Sequence, residues 1–189
     1  MKSTKPVAAL ALAAAMPLLS LVGASSALAQ MAPPPPKSET AIAIEKALAS
    51  EIRTPEERAR DAKERKPVQT LEFFGFKPNM TVVELFPGAG WYTKILGTVL
   101  AEKGKLYVAI GGERLAPQFK TWGLEKIEVA PAKVNLKPSG QFGVFQSDVV
   151  DLGVKNADMV LTFRNYHNMT PATRALTNKA VFDALKPGG

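Results

Sequence analysis

The chain has 189 residues with 24 Lys and Arg against 17 Asp and Glu, a formal charge of +7, no cysteine and one histidine. That length holds one ordinary domain with extensions, and a 46% hydrophobic, 22% charged composition is that of a globular protein. Zero cysteines exclude a disulfide scaffold, a thiolate nucleophile and a Cys-ligated metal, and a single histidine excludes a multi-histidine metal cluster.

The N-terminus has the three parts of a secretory signal peptide. Lys2 and Lys5 are a short positive region, residues 7–22 are apolar apart from Ser20, and Ala27-Leu28-Ala29 is a small-x-small cleavage site before Gln30. An uncleaved anchor is the alternative, but the apolar run is short for a span and Pro17 interrupts it. The expectation is residues 1–29 as signal, cleavage near Ala29, and a periplasmic or secreted protein with no stable membrane span. Without Lys2 and Lys5 the charge is +5, and residues 67–189 hold fourteen basic and ten acidic residues with no basic run. That does not favour a nucleic-acid partner.

Residues 30–37 form a Pro-rich linker with four consecutive prolines at 33–36, a stiff polyproline II spacer. Two helices are expected over 38–66. Ser38 caps the first, in which Ile44, Leu48 and Ile52 fall on one stripe. Thr54, Pro55 and Glu57 make a capping box for the second, expected over 55–66 with Glu56–Arg60 and Asp61–Arg65 pairs at i, i+4. That helix is polar enough to be solvated throughout; the alternative is that Arg58, Asp61 or Arg65 folds over a ligand as a lid.

An α/β domain is expected over 67–189. Residues 81–86 read as a buried strand, 87–90 as a tight loop and 91–102 as a helix carrying Ile95, Val99 and Leu100 inward. Residues 106–110 are a second strand and 115–122 a short helix; Val144 and Phe145 lead into Asp148 as the third strand. Residues 158–163 are a strand again and 171–185 a helix. Strand alternating with helix implies right-handed crossovers and a parallel sheet.

The loop after the first strand is where chemistry is expected. A Gly-bearing turn between a parallel strand and a helix brings backbone amides close to a ligand, and the helix N-terminus favours carboxylate or phosphate. The same glycines also serve purely structural turns. A dinucleotide site wants a third glycine where Thr93 stands, and an acid where Ile110-Gly111-Gly112 stands; Glu113 is the nearest carboxylate.

The run Val82-Val83-Glu84-Leu85-Phe86-Pro87-Gly88-Ala89-Gly90 instead resembles the first motif of class I S-adenosylmethionine-dependent methyltransferases, with Phe86 in place of that motif's first glycine. Ser147-Asp148 and Leu185-Lys186-Pro187-Gly188-Gly189 resemble two later signatures. More narrowly, Arg58-Ala59-Arg60-Asp61, Phe73-Phe74-Gly75-Phe76-Lys77-Pro78, residues 84–93 and Arg164-Asn165-Tyr166-His167-Asn168 resemble a family of exported bacterial predicted methyltransferases. The resemblance implies a doubly wound, Rossmann-like α/β fold with S-adenosyl-L-methionine as cofactor and no metal. Gly88, Ala89 and Gly90 would then present amides to the cofactor's amino-acid part, Glu84 would face its ammonium side and Asp148 its adenine. A side chain at position 90 would intrude on the cofactor. His167 would act as base, with Arg164 as anion anchor and Asn165 beside them, toward a small-molecule methyl acceptor of unknown identity. Trp91 and Tyr92 either stack on ligand or pack the first helix.

A secreted, non-catalytic binding module on the same fold is the rival reading, since the methyl donor is made in the cytoplasm. A nicotinamide-dependent oxidoreductase is disfavoured by Thr93 and Gly112. If the resemblance holds, four strands are expected in the order 3-2-1-4, and the ending at Gly188-Gly189 reads as a fold incomplete at the C-terminus. The competing idea is a short form that pairs its fourth strand with a partner chain.

Overall fold

The computed structural model describes residues 36–189; the expected signal segment, residues 1–29, and all but the end of the Pro-rich stretch lie outside the described residues. The first helix, α1 (Glu39–Leu48), starts where Ser38 Oγ accepts from the Ala41 amide, and it buries Ala41, Ile44 and Ala47. Leu48 packs against the same core, and Ile52 reaches it from the turn after the helix. The α2 helix (Pro55–Arg60) opens on the complete Thr54–Glu57 capping box.

The expected helix over 55–66 is not continuous. After Arg60 the chain makes one π-turn, Asp61–Arg65, and stops on Lys66 in the left-handed region at φ 43°. The cause is a competing ion pair. Asp61 accepts two hydrogen bonds, at 2.7 and 2.8 Å, from the guanidinium of Arg53, whose side chain has no exposed surface. Asp61 therefore pairs with Arg53 rather than Arg65, and Arg60 pairs with Glu64 at 3.1 Å. Pro67 then starts a helix that the sequence pattern does not announce, α3 (Pro67–Phe73), its missing amide harmless at the first position.

A four-stranded parallel sheet follows, assembled from β1 (Thr81–Leu85), β2 (Lys105–Ala109), β3 (Glu128–Val129) and β8 (Met159–Thr162), in spatial order β3-β2-β1-β8. This is the expected 3-2-1-4 arrangement. The third strand differs from expectation: Glu128–Val129 occupies that place, not the segment before Asp148. Phe145–Gln146 is instead β6, paired antiparallel with β5 (Lys137–Pro138), and this hairpin is nested inside a second, β4 (Lys133–Val134) with β7 (Val150–Asp151).

Period-two alternation along the sheet divides the core between its faces. Val82, Leu106 and Val108 pack with α1, α3, α4 (Trp91–Leu100) and α5 (Ala116–Phe119). Val83, Leu85 and Ala109 pack with Leu152, Val154 and the inner side of α6 (Pro171–Ala184). Helices thus cover both faces of the sheet, a doubly wound α/β fold. Both ends of β8 are tied to β1. Asp158 accepts from the Thr81 amide at 2.7 Å before the strand, and Asn165 reaches the loop after β1 from beyond it.

The Arg53–Asp61 pair supplies a test. Asp61→Ala leaves a buried guanidinium without its carboxylate and is expected to cost about 3 kcal/mol in urea unfolding. Arg53→Met combined with Asp61→Ala removes both charges and is expected to recover most of that loss. Equal stability of the single and double variants would contradict it.

Candidate functional site

The loop between β1 and α4 lies at the carboxyl end of the sheet, where open α/β folds place ligands. Phe86 leaves the strand at φ 53° with its amide donating to Ala109 O at 3.1 Å, and Gly88 and Gly90 follow at φ 62° and 83°. Left-handed backbone at Phe86 is costly for a side-chain-bearing residue and turns the chain sharply toward α4. Among the described residues, the amides of Gly88 and Ala89 donate to no protein acceptor. They are free for a ligand.

A hollow of about 190 Å³ opens over this loop, lined among others by Glu84, Phe86, Gly88, Ala89, Tyr92 and Asn165. Its size suits an amino-acid-sized group rather than a whole nucleoside. Larger hollows, of about 340 Å³, lie beside Lys77–Asn79 and along β8, and neither is lined by any of the expected site residues.

Glu84 forms the base of the hollow and is only 2% exposed. Burial pushes its carboxyl up to about 7, opposed by the Thr93 hydroxyl, which donates to it at 2.6 Å. Thr93, which spoils a dinucleotide fingerprint, thus holds the buried acid in place from the first turn of α4.

The opposite wall comes from the N-terminal segment. Trp91 Nε1 donates to Glu57 O at 3.1 Å, and Lys94 Nζ lies 3.0 Å from the Glu57 carboxylate. The guanidiniums of Arg53 and Arg65 sit 5.0 and 5.2 Å from the Trp91 ring centroid. Tyr92 stacks on Phe163 with centroids 3.5 Å apart. Trp91 and Tyr92 therefore pack the protein and line the hollow at once.

The structure brings Glu84, Gly88, Ala89 and Asn165 together. Asn165 Nδ2 donates to Phe163 O at 3.0 Å and Phe86 O at 3.3 Å, locking the end of β8 to the loop. Arg164, at φ 62°, and His167, on the turn Tyr166–Asn168, are exposed and do not line the hollow. Asp148, expected to face the adenine, lines a separate hollow of about 250 Å³ with Lys137, Gln146 and Ser147. It stands exposed beyond the β5–β6 hairpin, bonded by Asn135 Nδ2 at 3.3 Å and 4.0 Å from Lys137 Nζ, away from the hollow over the β1–α4 loop. Gly90 lacks a side chain for a reason within the protein. A Cβ there would meet Trp122 Cη2 at 2.6 Å, so the Trp122 ring, rather than the ligand, excludes a side chain. Arg60 and Arg65 line the hollow; of the lid candidates Arg58, Asp61 and Arg65, Arg65 alone is among its lining residues. Four-residue spacing pairs Arg65 with Asp61, and only the π-turn releases it.

No protein-family model matches the sequence, and no curated protein matches it. Among solved structures the chain is similar to the crystal structure of a SAM-dependent methyltransferase from Aquifex aeolicus. The match has 22% sequence identity and a TM-score of 0.46, and covers 70% of this chain and 66% of that one. The chain thus spans just under two thirds of that protein's length.

The two glycines should separate in mutants. Gly90→Ala combines a left-handed φ with a clash against a ring and is expected to cost about 3 kcal/mol in urea unfolding. Gly88→Ala meets nothing within 4 Å, so only backbone strain of about 1 kcal/mol is expected. Equal losses would contradict this division.

Glu84 gives a stability profile. Between its ordinary 4.5 and its folded value of about 7, the native state keeps a proton that the unfolded chain has released. This contribution is complete below the ordinary value and is lost as pH rises through that window, by at most about 3 kcal/mol. Glu84→Gln should flatten stability against pH there, measured by urea midpoints; an unchanged slope would show that Glu84 titrates normally.

Proposed function

We propose that this protein binds S-adenosyl-L-methionine over the β1–α4 loop and transfers its methyl group to a small-molecule acceptor, after export to the cell envelope. One observation carries the reading: Gly88 and Ala89, whose amides bond no acceptor among the described residues, line the same amino-acid-sized hollow as a buried carboxylate at the end of β1. Amides suit a carboxylate and Glu84 suits an ammonium, so the residues present fit the amino-acid end of the cofactor. The open space beside Gly88 leaves room for close approach.

Bound there, the cofactor supplies a methyl group already activated on a sulfonium. What the protein adds is alignment and exclusion of water. Glu84 fixes orientation from the base of the hollow, while Phe86, Tyr92 and Phe163 supply an apolar wall. Asn165 holds the acceptor side to the loop through its bonds to Phe86 and Phe163. His167, two residues further along the exposed turn, is the group we assign to receive the proton of a hydroxyl or amine acceptor. Arg164 anchors the acceptor from the same segment. A non-catalytic binding module is favoured by a single feature, the exposure of His167 outside the hollow.

Titration calorimetry of the full chain with S-adenosylhomocysteine and NAD tests the reading. Binding of the sulfur nucleoside alone is expected, with a loss of about ten-fold or more in Glu84→Gln, worth at least ~1.4 kcal/mol. Affinity should rise with pH toward about 7, as Glu84 ionises to meet an ammonium. Absence of binding at millimolar ligand would end the proposal. His167→Ala should preserve that affinity and reduce turnover in a labelled-methyl metabolite screen by about 100-fold; turnover equal to wild type would remove His167 from the chemistry.

A further inference from the structure

Two arginines, Arg60 and Arg65, line the hollow, and Arg164 stands near enough for its charge to act on Arg65, with too few acids to match them. Arg65 ends the π-turn, and its Nε is buried without a hydrogen-bond partner. Its guanidinium rests on Trp91 and Tyr92, 5.2 and 5.8 Å from the ring centroids. Among the described residues, no carboxylate lies within ion-pairing distance of it. Asp61, its neighbour by sequence spacing, is held by Arg53, and Glu64 is held by Arg60. Burial lowers the Arg65 pKa below the ordinary arginine value, as do the nearby charges of Arg60 and Arg164.

Like charges gathered over a partly dry, aromatic wall are costly unless something negative joins them, and guanidinium groups bind carboxylate or phosphate with two-point geometry. The backbone is arranged to hold them there. Arg65 is followed by left-handed Lys66, and Arg164 is itself left-handed at φ 62°. Non-glycine residues in that region are sparse and cluster at ligand sites. The free amides of Gly88 and Ala89 already provide for the cofactor's own carboxylate, so the arginine charge is left over. Arg164 places that surplus on the acceptor side.

We infer that the methyl acceptor is a small organic anion, a carboxylate or phosphate ester with an apolar body, held by Arg65 and Arg164. Its charged end pairs with the two guanidiniums at the rim of the hollow, beyond the space that the cofactor's amino-acid end fills. This rests on the methyl-transfer reading for the identity of the bound molecule as acceptor. The anion site itself does not depend on that reading.

The test uses the full chain saturated with S-adenosylhomocysteine, titrated with benzoate, phenyl phosphate and neutral benzyl alcohol while tryptophan fluorescence is followed. At least one anion is expected to bind about ten-fold more tightly than benzyl alcohol, with affinity falling as salt rises. Arg65→Gln should abolish that preference and Arg65→Lys should retain part of it, each measured at a concentration of S-adenosylhomocysteine that saturates the variant. Arg164→Gln, at an exposed position, should weaken the anion about three-fold and covers the case in which Arg65→Gln fails to fold. Anions binding no better than benzyl alcohol would overturn the inference. So would an Arg65→Gln variant that loses S-adenosylhomocysteine but keeps 5′-methylthioadenosine, which lacks the carboxylate, for Arg65 would then serve the cofactor. Arginine-dependent anion binding without any sulfur-nucleoside binding would instead remove the methyl-transfer reading and leave the anion site standing.

Discussion

The indole of Trp91 is the junction on which the site depends. As the first residue of α4 it stands directly after the Gly88–Gly90 turn, and its Nε1 reaches back to Glu57 O. Arg53 and Arg65 both rest on its ring, and Lys94, one turn on, pairs with the Glu57 side chain. One side chain thereby joins the polar N-terminal segment to the ligand loop. Indole is the best of the side-chain rings for a cation to rest on, and the attraction gains further when water is excluded. A segment with no buried residue between Pro55 and Arg60 is held in place by these few directional contacts rather than by a core of its own.

That dependence explains which features were legible in the sequence. The Thr54 capping box, the Ser38 cap and the apolar run of β1 are local, so neighbouring residues specify them. Glu84, Gly88 and Ala89 share one hollow because strand, turn and helix follow one another without interruption, and Asn165 joins them because it follows the next sheet strand to pair with β1. The π-turn could not be read. It arises because Asp61 satisfies a distant buried arginine at the expense of the regular helical pairing with Arg65. The third strand was missed for a related reason: Glu128–Val129 is two residues long and exists only through its ladder with Tyr107 and Val108. Phe145–Gln146 has the apolar look of a strand and is one, but the partner that claims it is Lys137–Pro138. Asp148 follows that hairpin rather than the third strand of the parallel sheet.

The site also carries two electrostatic tensions of opposite sign. Glu84 is an acid in a dry place and resists ionisation, while Arg65 is a cation in a partly dry place beside two other cations. In water neither group would be perturbed, and pairing the two directly would relieve both. The fold keeps them apart, one held by Thr93 and the other by the aromatic rings. Charges held away from each other at low dielectric amount to a preorganised field, and the reorganisation cost has been met in folding rather than at binding.

How firmly that field is held depends on β8, whose end carries Phe163 and Asn165 into the hollow. Among the described residues β8 has a strand partner on one side only, β1, and its other edge is flanked by Phe74. An edge strand of four residues gains little rigidity from its ladder alone. Its two ends supply the rest. Before the strand, Asp158 is fixed by the Thr81 amide and by Lys186. After it, the Asn165 side chain bonds Phe163 O and Phe86 O, so a displacement of β8 moves the ligand loop with it. The sharp turn at Phe86 and the left-handed Arg164 are therefore parts of one device, in which the strained residue on each strand end is restrained by the amide of Asn165 between them. The position of Arg164 is set by the same bonds that shape the β1–α4 loop.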